Sequence, residues 1–204
     1  MVRCQAGLTQ WSLAGSSDFC MPRLSAIRAL IRDEGILNLP RVALDSLRLL
    51  DFHIFVINRG ELLAPLPVPD GVTMHADALD RLKRAREKRN DLSNEFRRDQ
   101  LSGASHCATL ELNGELGGVV WAYEYPAERP ITVLEPGEAE LSTSYTVEKF
   151  RGRGLYRALL YFATEWQLRE RPRLFTIVAS NNPTPMKAVY QVGFHEVGVI
   201  RRRG

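Results

Sequence analysis

"KFRGRGLYRALL", Lys149 to Leu160, sets two glycines and three arginines directly before a leucine-rich apolar run. The residues ahead of it, "AELSTSY" from Ala139, have the character of a β-strand. Behind it, Leu159, Leu160, Phe162, Ala163 and Trp166 recur at helical spacing between Leu155 and Arg169. A basic, flexible turn therefore feeds a strand into a helix. The first turn of any helix carries backbone N–H groups without internal partners, and its aligned dipoles make that end partly positive. A phosphate placed there collects several of those N–H groups at once. Gly152 and Gly154 let the backbone come close to such oxygens, and Arg151 and Arg153 add charge. The turn is built for a phosphate.

Working outward, the turn sits inside an α/β pattern. "ATLELNGELGGVVWAYEY", Ala108 to Tyr125, places an Asn113–Gly114 pair between two β-rich runs, a strong short-range hairpin signal. After the helix come the strand "RLFTIVA", the short helix "TPMKAVYQV" and the strand "FHEVGVI". Upstream, Phe52 to Ile57 is expected to form the first strand, followed by a proline-punctuated connector, "LLAPLPVPDG". Asp77 to Arg98 is expected to form one long polar helix with a thin stripe of Leu79, Leu82, Leu92 and Phe96. Its basic run, Arg81, Lys83, Arg84, Arg86, Lys88 and Arg89, is interleaved with Glu87 and Asp91 as on a solvated face. Residues 1–51 form an N-terminal extension with two predicted helices, one from Pro22 to Gly35 and one from Pro40 carrying Leu44, Leu47 and Leu50. Residues 52–204 form the main domain.

Composition narrows the function. In 204 residues, 45% hydrophobic and 25% charged residues suit a soluble globular chain with its own core. A net charge of +3 favours an anionic ligand but is too slight to argue for nucleic acid. Three cysteines without a CxxC pair, and four scattered histidines, give no metal-ligand spacing. No signal peptide or membrane span is legible, so the cytoplasm is the expected compartment.

The turn lacks the GxxxxGK[ST] of a Walker phosphate loop and the GxGxxG-plus-acid of a dinucleotide site. Arg151-Gly-Arg-Gly154-Leu instead resembles the Q/R-x-x-G-x-G/A signature of the GNAT superfamily of N-acyltransferases, with Tyr156 at the sixth position. "NNPTPMKAVYQVGF" resembles that family's later segment, with Asn182, Gly193 and Phe194 in register. The family's frequent catalytic tyrosine falls on Val189. Tyr190 follows one residue later, a helical rotation of about 100°. The resemblance implies a mixed, mostly antiparallel twisted sheet flanked by helices, and acetyl-CoA or another acyl-coenzyme A as co-substrate, with no metal. It also implies that the strand before the turn parts from the strand after it, admitting the pantetheine arm along the backbone of Tyr145, Thr146 and Val147. The phosphates would then meet Arg151, Gly152, Arg153, Gly154, Leu155 and Tyr156, with Asn182 near by.

The implied reaction is direct attack of an amine on the thioester, in which alignment and a backbone donor to the developing oxyanion do most of the work. Glu140, opening the strand before the turn, is the candidate base, and Tyr190 the candidate acid, with Tyr145 as a substitute. Glu148 is expected to be a turn residue and Cys107 a packing residue. Trp121, Tyr123 and Tyr125 share a strand face, which either packs the core or lines a pocket. An acyl carrier protein is an alternative donor, which the basic helix would meet, and a non-catalytic acyl-coenzyme A binding module is a third possibility. The acceptor is a small-molecule or peptide amine. Most relatives carry one more strand after the segment that here ends in "RRRG". Either the sheet is short at that edge, or the N-terminal segment or a second subunit, as in a homodimer, covers it.

Overall fold

The computed structural model describes residues 49–203 apart from 66, 90 and 128–130. The helix predicted from Pro22 lies outside the described residues, as does most of the one from Pro40. Leu50, read with that second helix, belongs instead to the first strand, β1 (Leu49–Asn58). After the proline-rich connector come β2 (Val72–His75), α1 (Leu79–Lys88), a 3-10 turn (Asn94–Arg97) and α2 (Arg98–Ser102). β3 (His106–Leu112), β4 (Glu115–Glu124) and β5 (Glu138–Thr146) follow. The chain then alternates: α3 (Leu155–Leu168), β6 (Arg173–Ala179), α4 (Pro183–Val192) and β7 (His195–Arg203).

The seven strands form one sheet in the order β2-β3-β4-β5-β6-β1-β7. Every neighbouring pair is antiparallel except β5–β6, which α3 connects in parallel. The predicted hairpin is β3–β4, and Asn113 and Gly114 both take positive φ, +52° and +80°, as a two-residue type I′ turn requires. β1 lies between β6 and β7, pairing with both along most of its length. β1 is thus an interior strand, and β7 is the outermost described strand at that end of the sheet.

Each face of the sheet carries its own core. On one, α3 and α4 bury Leu159, Leu160, Ala163 and Val189 against Phe55, Leu110, Leu141 and Leu174. On the other, Leu82, Leu92 and Phe96 cover Cys107, Val119, Trp121 and Tyr123. The long helix expected over Asp77–Arg98 is two shorter pieces. Arg89 turns extended, at φ −133°, with its guanidinium bound to Asp91 and Glu115. Asp91 and Ser93, both poor helix formers, do not continue the helix. The break lets Arg86, buried under its own helix, pair with Asp99 of α2 through two hydrogen bonds of 3.0 and 2.6 Å. Among the described residues no helix is long and apolar enough to cross a membrane.

Candidate functional site

The parallel ladder between β5 and β6 is short. It runs only from Glu138–Arg173 to Leu141–Thr176, and beyond that point the two strands no longer pair. A bulge in β5 accompanies the departure. Thr143 and Ser144 together oppose Val120, between the pairs Val119–Tyr145 and Trp121–Ser142, and Thr143 takes φ +49°. An extra residue of this kind bends its strand and deepens the local twist. The opening so formed continues into a cavity of about 980 Å³.

Its walls are the free end of β5 from Ser142 to Thr146, the end of β6, the start of α3 and one face of α4. Gly154 caps α3 with φ +74° and Gly152 takes φ +78°. A Cβ at either would meet no protein atom within 4 Å, so the space before the helix is open. No side chain caps the first turn, which leaves its N–H groups to whatever occupies that space. Arg151, Arg157 and Lys187 line the cavity, and among the described residues no carboxylate does. Arg151 Nε donates to Thr146 O at 3.1 Å, and Arg157 Nη1 to Gln191 Oε1 at 3.1 Å, which orients both guanidinium groups at the wall. The site attracts anions.

Of the residues assigned from sequence, Tyr145, Thr146, Arg151, Gly152, Gly154, Leu155, Tyr156 and Asn182 all line the cavity. Val147 and Arg153 do not. The Val147 N–H donates to Gly117 O of β4 at 2.9 Å and is spoken for, and the Arg153 guanidinium lies 6.0 Å from the Phe150 ring centre. Neither Glu140 nor Tyr190 lines the cavity, whereas Tyr145, the substitute acid, does. Glu140 is fully buried where β5 still pairs with β4 and β6, and its carboxylate accepts from the Thr132 hydroxyl. Tyr190 is exposed on the far side of α4, its hydroxyl donating to Glu196 Oε2 at 3.0 Å and its ring edge-on to Phe55. The hydrogen bond to Glu196, helped by burial, raises the phenol above its ordinary value. Val189, one position earlier, points into the core.

Tyr156 behaves differently. Burial pushes its phenol up to about 12, against an opposing pull from Ser144. Sequence reasoning missed Ser142, Thr143 and Ser144, whose exposure to the cavity follows from a bulge that no local pattern announces. It also missed Thr184, Lys187, Ala188 and Gln191, although their i, i+3, i+4, i+7 spacing marks one helical face. Trp121 and Tyr123 belong to the core: the indole donates to Glu95 O at 2.8 Å, and the Tyr123 hydroxyl meets Ser102 Oγ at 2.7 Å. Tyr125 is exposed. Burial also raises the Cys107 thiol to about 12, far from any nucleophilic thiolate.

A family model described as "Acetyltransferase (GNAT) family" matches residues 74–194, from β2 through α4. No curated protein matches the chain. Among solved structures, a Drosophila protein superposes with a TM-score of 0.55 at 12% identity, over 81% of this chain and 56% of that one. A tandem GNAT protein from the clavulanic acid biosynthesis pathway gives 0.52 at 15% identity, over 74% and 51%. A GCN5-related N-acetyltransferase from Sphaerobacter thermophilus gives 0.50 at 15% identity, over 80% and 55%. These likenesses are likenesses of fold, and the chain spans little more than half the length of each structure.

Proposed function

The chain belongs to the GNAT family of acetyltransferases, and on that premise we propose that it moves an acyl group, acetyl foremost, from acyl-coenzyme A to a primary amine by direct attack. One observation carries the proposal: β5 parts from β6 beside an uncapped helix start, in a cavity whose described lining includes Arg151, Arg157 and Lys187. A donor with its pyrophosphate on the first-turn N–H groups of α3 and on Arg151 would lay its arm along the unpaired stretch of β5. Its thioester would then lie towards the fork at Leu141 and Thr176, where the backbone of β5 is free of β6. Fixed backbone donors stabilise an oxyanion without reorganising, and holding both reactants in place removes much of the entropic barrier. This chain's contribution is alignment first and proton transfer second.

The position of Glu140 and Tyr190 outside the cavity favours one other reading, a module that binds acyl-coenzyme A without turnover. An acyl carrier protein as donor has less support. On the basic helix, Arg81, Lys83, Arg86 and Arg89 are held by Glu111, Asp80, Asp99 and Asp91. A single assay separates the three: acetyl-coenzyme A, long-chain acyl-coenzyme A and acyl carrier donors offered against a broad panel of amines, with calorimetry beside it. Transfer from acetyl-coenzyme A is expected. Binding without transfer to any amine would support the non-catalytic module, and neither binding nor transfer would end all three readings.

A further inference from the structure

Lys187 is the one primary amine among the described residues that line the cavity. It shares the inner face of α4 with Thr184, Ala188 and Gln191. The topology fixes its depth. β6 and β7 both run antiparallel to β1, so they run parallel to each other, and α4, which connects them, runs back alongside β6. The descent starts at a turn where Asn182 N donates to Ala179 O at 2.9 Å. From that turn Lys187 is about 7 Å along the helix and Thr176 about 10 Å back along the strand. The flexible four-carbon stem of a lysine covers the difference. An amine thus stands at the level of the fork between β5 and β6.

The donor's thioester lies at that level on the acyl-coenzyme A reading of this cavity, and the inference rests on that reading. We propose that Lys187 is a self-acylation site. In its free-base form Nζ attacks the thioester carbonyl. The C–N bond forms, the C–S bond breaks, and the amine's proton ends on the departing thiolate, leaving an acylated lysine and free coenzyme A. No further reactant is needed. Arg151 and Arg157 share the wall, but a guanidinium stays protonated and does not compete as a nucleophile. Holding amine and thioester in one cavity raises their effective concentration far above that of a donor met in solution. The product amide is neutral, so the modification removes one cation from a wall that attracts anions.

The full chain is incubated with acetyl-coenzyme A and no acceptor amine, and peptide mass mapping over time locates the acetyl groups. Lys83, Lys88 and Lys149 are exposed and do not line the cavity, so they report plain chemical acylation. Lys187 is expected to gain its acetyl group about tenfold or more faster than any of the three. Its rate should saturate with acetyl-coenzyme A, fall when excess coenzyme A competes for the cavity, and hold steady per molecule as the protein is diluted. In Lys187→Arg, which keeps the cation, the fast phase should vanish from the intact mass while coenzyme A still binds by calorimetry. A Lys187 no faster than the other three, a rate indifferent to excess coenzyme A, or one that rises with protein concentration overturns the inference. Where the wild type still binds coenzyme A in such a case, the donor reading stands. If it neither binds coenzyme A nor gains an acetyl group at Lys187, the donor reading fails and takes the inference with it.

Discussion

Val189 and Tyr190 show how much one residue decides on a helix. A step of about 100° sends Val189 into the core and Tyr190 out towards β1, where its hydroxyl is occupied by Glu196. Tyr190→Phe is therefore expected to leave kcat within about twofold, where loss of a true general acid costs on the order of a hundredfold or more. Steady-state kinetics across pH would show it, and a large drop in kcat with unchanged KM would return Tyr190 to the chemistry. The turn before α3 was legible in the sequence because its features are local: glycines, arginines and the helix start adjoin one another. The placement of Glu140 was not legible, for the opposite reason. Its position near the turn in sequence says nothing of the point where β5 stops pairing, and the residue falls on the closed side of the fork.

At the scale of elements, the β1–β7 pair carries a titratable cross-strand ion pair. Asp51 and Arg201 stand opposite each other in the ladder, joined by hydrogen bonds of 2.7 and 3.1 Å. That bond to Arg201 holds the Asp51 carboxyl below its ordinary value of 3.8. A depressed carboxylate stabilises the fold above its unfolded pKa, and the contribution disappears as pH falls through the lower, folded value. Asp51→Asn should thus lower Tm slightly at neutral pH, and the gap from wild type should close as the solution is taken well below pH 3.8. Thermal melts of both proteins across that range check the sign, and a gap that widens in acid would refute it. The hairpin, both crossover helices and their strands were legible from turn residues and periodicity. The break after α1 was not, since it depends on Arg86 and Arg89 finding acids that are distant in pattern though near in space.

For the whole molecule, the arrangement of β1 matters most. The family match spans residues 74–194 and omits both β1 and β7, the two strands that complete the sheet beyond β6. Phe52 to Ile57 read as a strand from its composition alone, but its place between β6 and β7 depends on pairing with residues more than a hundred positions away. Such pairing is set by register and burial and leaves no local mark. A chain lacking residues 1–58 should lose cooperative unfolding, because β6 and β7 are then left without the strand that joins them. A synthetic peptide of residues 49–58 should restore it. Circular dichroism melts with and without the peptide decide the matter, and a sharp, full transition from the truncated chain alone would contradict it.

The central claim is that the donor's pyrophosphate sits on the backbone at Gly152–Gly154, at the mouth of the cavity. Gly154→Val tests it most directly. The new Cβ would meet no protein atom, so any loss of binding comes from the occupied phosphate space and from a φ of +74° that valine resists. Calorimetry with coenzyme A, on variants that circular dichroism shows to be folded, should give a Kd raised about tenfold or more, roughly 1.4 kcal/mol. Arg153→Ala, whose side chain lies off the cavity, should cost less, and its effect should fade as salt rises. A folded Gly154→Val that binds coenzyme A as tightly as the wild type would mean that the phosphates lie elsewhere.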